Sequence, residues 1–96
     1  MKRVLVECRD LFLRGKIHAL LGAAGGAIAR EEPLDLAVLE LGKPGVDERI
    51  RDLVRRGVPV VAFGSHVDVE ALRAARNAGA RAVPNSEVES TLRALL

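Results

Sequence analysis

The chain has 96 residues, 49% of them hydrophobic and 29% charged, with a formal net charge of +2. That length supports one small domain, residues 1–96, built around a single core, and no apolar run approaches the ~20 residues that span a bilayer. The excess positive charge is small and the only aromatic residues are Phe12 and Phe63, which argues against a nucleic-acid surface made of basic patches and stacking rings.

The apolar stretch at the N-terminus stops at Glu7, too early for a secretory signal. Cys8 is the only cysteine, so no internal disulfide is available. Both points fit a reducing cytoplasm, which is the expected location. Twelve arginines against three lysines, no Gln and Asn only at 77 and 85 suit a thermophile, and equally a GC-rich genome.

Arg3-Val4-Leu5-Val6 opens as a strand that ends near Glu7-Cys8. Asp10 is placed to cap a helix whose broad apolar face takes Leu11, Phe12, Ile17, Leu20, Leu21 and Ala24, with His18 at its boundary. Gly22, Gly25 and Gly26 follow a helix rather than a strand and lack a Gly-Lys-Ser/Thr sequel, so they read as a helix stop and not as a phosphate loop. Ala27 to Glu32 permits helix, and Pro33 ends it. Leu36 to Leu41 is a short apolar run of the kind buried on both faces of a sheet. Glu40 stands near its end, and a Pro44-Gly45 turn follows.

Val46, Ile50, Leu53 and Val54 recur at helical spacing, which predicts a helix over Asp47 to Arg56 closed by Gly57. Its Arg51, Arg55 and Arg56 read as a solvated face. Val58 to Phe63 is another apolar strand, with Pro59 tolerated at its mouth. Ser65-x-x-Asp68 predicts a capped helix start, where His66 has no acid–base partner. The small inner face of that helix is Ala71, Ala74, Ala75 and Ala78, and Gly79 ends it. Arg81-Ala82-Val83 is a short strand. Ser86-x-x-Glu89 is a capping box before a last helix that turns Val88, Leu92 and Leu95 inward.

Strands alternating with helices imply a parallel sheet with right-handed crossovers and helices on both faces. In such sheets ligands lie beyond the carboxyl ends of the strands, where Glu7, Cys8 and Glu40 fall. Two carboxylates alone make a poor cation site, and Cys8 reads as a small buried residue rather than a reactive thiol. No Ser-His-Asp or Cys-His pair can be assembled, and no enzymatic activity is expected.

The order of these segments resembles the CheY-like receiver domain of two-component response regulators. Asp35 to Gly45 is similar to that family's central strand, which ends in the phosphoacceptor Asp, and to its Pro-Gly turn. Val58 to Ser65 is similar to its fourth strand and switch turn, Ala71 to Ala80 to its fourth helix, and Val4 to Phe12 to its first strand and acidic pair. The resemblance implies a flavodoxin/CheY-like doubly wound parallel sheet in the order 2-1-3-4-5.

The departures from the family pattern bear on function. The acidic pair corresponds to Glu7 and Cys8, the phosphoacceptor to Glu40, the switch hydroxyl to Gly64 with Ser65 one place later, and the lysine to Asn85 or Ser86. Acyl-phosphate chemistry needs a metal, a carboxylate of the right reach, and cations and hydroxyls around the product. A Glu in place of an Asp shifts the attacking oxygen by roughly 1 Å, and a displacement of that size costs about 100-fold. The resemblance therefore implies a pseudo-receiver: a stand-alone signalling or protein-interaction module without phosphotransfer, cofactor or metal. Alternatives are an active phosphoacceptor regulator in a phosphorelay and a small-ligand-binding flavodoxin-like domain.

The segment before Leu36 is too short for a full strand and helix, so a four-stranded sheet is expected, with the second strand missing or vestigial. The first strand would then be an exposed edge, open to pairing in a homodimer. The family's docking face maps to Val69 to Leu96. There Arg73, Arg76, Arg81 and Arg93 suggest a protein partner of acidic character.

Overall fold

The computed structural model describes all 96 residues. Five strands, β1 (Arg3–Glu7), β2 (Ala27–Ile28), β3 (Leu36–Glu40), β4 (Val60–Gly64) and β5 (Arg81–Pro84), form one parallel sheet in the order β2-β1-β3-β4-β5. Four helices connect or follow them: α1 (Leu11–Ala23), α2 (Val46–Arg55), α3 (Val69–Asn77) and α4 (Val88–Leu95). No helix is long and apolar enough to cross a membrane.

Alternate residues of each central strand serve opposite layers. Leu36 and Val38 of β3, with Val61 and Phe63 of β4, pack against Ile17 and Leu21 of α1 and Val88 and Leu92 of α4. Ala37 and Leu39, with Val60 and Ala62, pack against Ile50 and Leu53 of α2, Leu72 and Ala75 of α3, and Ala78 just after it. Phe63 is fully buried, and burying one such side chain contributes about 1.5–3 kcal/mol.

Three helices end the same way. After α1, Gly25 adopts φ 77° and the amide of Gly26 donates to the Leu21 carbonyl at 2.8 Å. Gly57 and Gly79 repeat the pattern behind α2 and α3, with Val58 donating to Leu53 and Ala80 to Ala75. Glycine supplies the left-handed conformation that this closure needs.

The region after α1 corrects the expectation. Ala27 to Glu32 is not helical, and the sheet has five strands rather than four. The Gly25 turn lays the chain beside β1, where the amides of Ala27 and Ala29 donate to the carbonyls of Lys2 and Val4, both at 2.8 Å. The second strand is vestigial, two residues long. β2 covers β1 at Arg3 and Val4 only, so the edge expected at the first strand is closed at its start and stays unpaired on that side from Leu5 to Glu7. Because β2 is so short, the return path to β3 is short as well, and residues 29–35 cross over β1 without a helix. The Arg3 guanidinium holds this crossover, donating to the carbonyls of Pro33 at 2.7 Å and Glu31 at 3.1 Å.

Several local assignments shift. Asp10 caps α1 through the amides of Phe12 and Leu13, as its sequence predicts. Leu11 and Phe12 are exposed rather than inward, because the first turn of α1 lies at the carboxyl end of the sheet, where no element packs over them. The cap of α3 is Asp68, not Ser65, and Ser65 accepts only a 3.4 Å bond from the Val67 amide. Ser86 sits in a 3₁₀ turn, Asn85–Glu87, and makes no cap bond. In α4, Thr91 is buried and Leu95 exposed. His18 is half-buried, with Nε2 lacking a partner.

Candidate functional site

Register places the site. β1 and β3 pair side by side with Glu7 opposite Leu39, so Glu7 and Glu40 leave the carboxyl ends of adjacent strands. A cleft of about 510 Å³ opens there, between the β1–α1 loop on one side and the β3–α2 loop on the other. Glu7, Cys8 and Glu40 all line it.

Each of these three residues is already engaged. The Oε2 of Glu7 lies 3.1 Å from Nη2 of Arg49, in the second turn of α2. Both side chains are more than a third exposed, so this ion pair adds little stability, but it sets the charge at that position. The Oε1 of Glu40 accepts a 2.8 Å hydrogen bond from the backbone amide of Arg9, which fastens the β1–α1 loop to the end of β3. The Cys8 thiol donates to the Asp10 carbonyl at 3.4 Å. Burial pushes its pKa up, and the nearby Glu40 carboxylate adds to that rise. The thiol is therefore protonated at neutral pH.

The other positions matched to receiver motifs stay out of the cleft. Gly64 ends β4, Ser65 is exposed after it, and Asn85 and Ser86 are exposed in the 3₁₀ turn before α4. The site instead gathers four cations that the sequence did not mark: Arg9, Arg14, Lys43 and Arg49. Arg9 and Arg14 are far from Lys43 and Arg49 in sequence, and the only available signal was their proximity to two strand ends.

A divalent cation does not fit this donor set. No three His, Cys, Asp or Glu side chains are grouped to hold a metal. Glu7 is neutralised by Arg49, and a protonated thiol is a poor ligand for a hard cation that wants carboxylate and carbonyl oxygens.

No protein-family model and no curated protein sequence matches this chain. Solved structures do. A response regulator receiver protein from Burkholderia phymatum superposes with a TM-score of 0.77 at 23% identity, covering 99% of this chain and 92% of that one. The fold is that of a CheY-like receiver domain. A CheY-like protein, TadZ, from Pseudomonas aeruginosa gives a TM-score of 0.75 at 21% identity over 99% of this chain and 96% of that one. The receiver domain of a sensor histidine kinase from the same organism gives 0.79 at 13% identity over 98% and 93%. That domain was solved with a magnesium ion coordinated in its active-site cleft. The receiver fold here carries a guanidinium at the acid that closes β1.

Proposed function

We propose that this chain is a receiver-like signalling module that acts through contact with another protein and does not take up a phosphoryl group. The observation that carries the reading is the Arg49–Glu7 pair. In the resemblance to receivers, Glu7 is the one acid left of the pair that holds the cation, and its charge is spent on a residue of the chain itself. The rest of the cleft supports the same reading. Glu40 reaches farther than an Asp and is occupied by the Arg9 amide. Gly64 stands at the position matched to the switch hydroxyl, Ser65 beside it is exposed outside the cleft, and no lysine stands at the position matched to the family's cation.

The partner surface, by the same resemblance, is formed by α3, β5 and α4. Three of its four arginines are already engaged: Arg73 with Glu70, Arg93 with Glu89, and Arg76 with the Ala82 carbonyl. Arg81 is the exposed cation without a carboxylate beside it. The face thus offers less free positive charge than its composition suggests, and the choice of an acidic partner rests mainly on Arg81.

Incubation with acetyl phosphate and Mg²⁺, followed by intact-mass spectrometry, tests the phosphotransfer half of the reading. The expected spectrum contains the unmodified chain alone. A phosphoryl adduct on Glu40 or another carboxylate overturns the proposal.

A further inference from the structure

The cleft at the strand ends carries more positive charge than its own carboxylates balance. Arg9 and Arg14 line the β1–α1 side, and Lys43 and Arg49 line the β3–α2 side. Against these four stand Glu7 and Glu40, a net of two positive charges by formal count. Of the four cations only Arg49 has an ion-pair partner. Arg9, Arg14 and Lys43 make no salt bridge, unlike Arg55, Arg56, Arg73 and Arg93; Arg30, Arg51 and Arg81 are also unpaired, but they stand outside this cleft. Glu40, the carboxylate best placed to oppose them, accepts from a backbone amide. Asp10, just outside, is held by the amides of Phe12 and Leu13.

We propose that this cleft is an anion site, which holds a small phosphorylated molecule between the two pairs of cations and needs no divalent metal. Guanidinium groups match phosphate oxygens with paired donors, and an ammonium adds a point charge. The cations sit on both sides, because α1 and α2 pack on opposite faces of the sheet, so a ligand with two anionic groups satisfies them better than one with a single group. The volume, about 510 Å³, is that of a small-molecule pocket. It is concave and closed at its base by β1 and β3, which favours a compact ligand over a protein segment. Arg49 is paired with Glu7, so the charge left free for a ligand comes from Arg9 and Arg14 on one side and Lys43 on the other.

The inference does not depend on whether Glu40 can be phosphorylated, because binding is read with EDTA present and no phosphodonor. The probe is inorganic pyrophosphate, titrated into the full chain by calorimetry and by amide NMR. The expected result is saturable one-to-one binding that shifts the amides of Arg9 and of residues 43–46, unchanged when Mg²⁺ replaces EDTA. Arg14→Ala and Lys43→Ala, both at exposed positions, should each weaken binding by about tenfold or more, the scale of one lost charge-assisted hydrogen bond. Arg81→Ala, outside the cleft, should leave it unchanged. Absence of saturable binding, a requirement for Mg²⁺, or an equal loss in Arg81→Ala overturns the proposal. A glutamate-rich peptide that displaces pyrophosphate and binds more tightly overturns it in favour of an acidic protein ligand.

Discussion

Leu41 fills the space that a side chain on Gly64 would occupy. A Cβ built on Gly64 meets Leu41 Cβ at 3.2 Å and Leu41 Cδ1 at 3.4 Å, and the Leu41 amide is held in place by donating a 2.8 Å hydrogen bond to the Phe63 carbonyl. The position matched to the switch hydroxyl is thus closed by packing, and Leu41 cannot rotate away at its own Cβ. Gly64→Thr should destabilise the fold by about 1–3 kcal/mol, the range for overpacking a close-packed site. Denaturant midpoints of the two proteins check this. An unchanged midpoint would mean that Leu41 yields freely.

The Glu7–Arg49 pair sets charge rather than stability. Both groups are over a third exposed, 39% and 38%, and such pairs contribute roughly 0–1 kcal/mol. Arg49→Gln should therefore unfold within about 1 kcal/mol of the parent, in urea at moderate salt. A larger loss would assign Arg49 to the support of the fold.

Cys8 gives a pH dependence with a defined sign. Its thiol binds a proton more tightly when folded, because burial and then Glu40 disfavour the thiolate. That contribution to stability is complete at neutral pH and is lost as pH rises through the alkaline range where the folded thiol titrates. Cys8→Ala should lose less stability than the parent between neutral and alkaline pH, in paired urea titrations. Alkylation by iodoacetamide at neutral pH should be slow, and Glu40→Gln should speed it.

Arg3 ties the crossover down from inside β1. Arg3→Ala removes the donors to the Pro33 and Glu31 carbonyls while leaving the backbone pairing with Ala27 and Asp35. Hydrogen exchange should accelerate at the amides of Ala29 and Asp35 and stay unchanged at Val61 and Phe63 in the centre of the sheet. Uniform acceleration across the sheet would show that Arg3 supports the whole fold instead.

Asp10→Ala removes a side-chain acceptor for two amides at the start of α1. Loss of such a cap costs about 1 kcal/mol, which lowers Tm by about 4–8 °C in a domain of this size. Thermal unfolding followed by circular dichroism measures it.

The parts of the fold that local patterning dictates were legible from the residues alone. Leu36 to Leu39 and Val60 to Phe63 are apolar on both faces, so they belong inside a parallel sheet. Gly25, Gly57 and Gly79 mark helix ends because only a residue at ease with positive φ closes them in this way. Ala27 and Ile28 were misread because a two-residue strand has no period, and its pairing with Arg3 and Val4 is purely tertiary. Leu11 and Phe12 fall at helical spacing with Ile17 and Leu21, yet spacing does not reveal that the sheet ends beneath them. At the site, Glu7, Cys8 and Glu40 were found from strand ends. The cations opposite them were not, since Arg14 and Arg49 meet across one cleft only once β1 and β3 lie in register.

The strand order has a consequence for how the molecule is made. β1, the first of the five strands along the chain, lies inside the sheet order, flanked by β2 and β3. β2 adds to one side of it and β3 to the other, then β4 joins β3 and β5 joins β4. Every new strand meets a growing border, and none has to be wedged between two that are already joined. Synthesis and assembly can therefore run in the same direction.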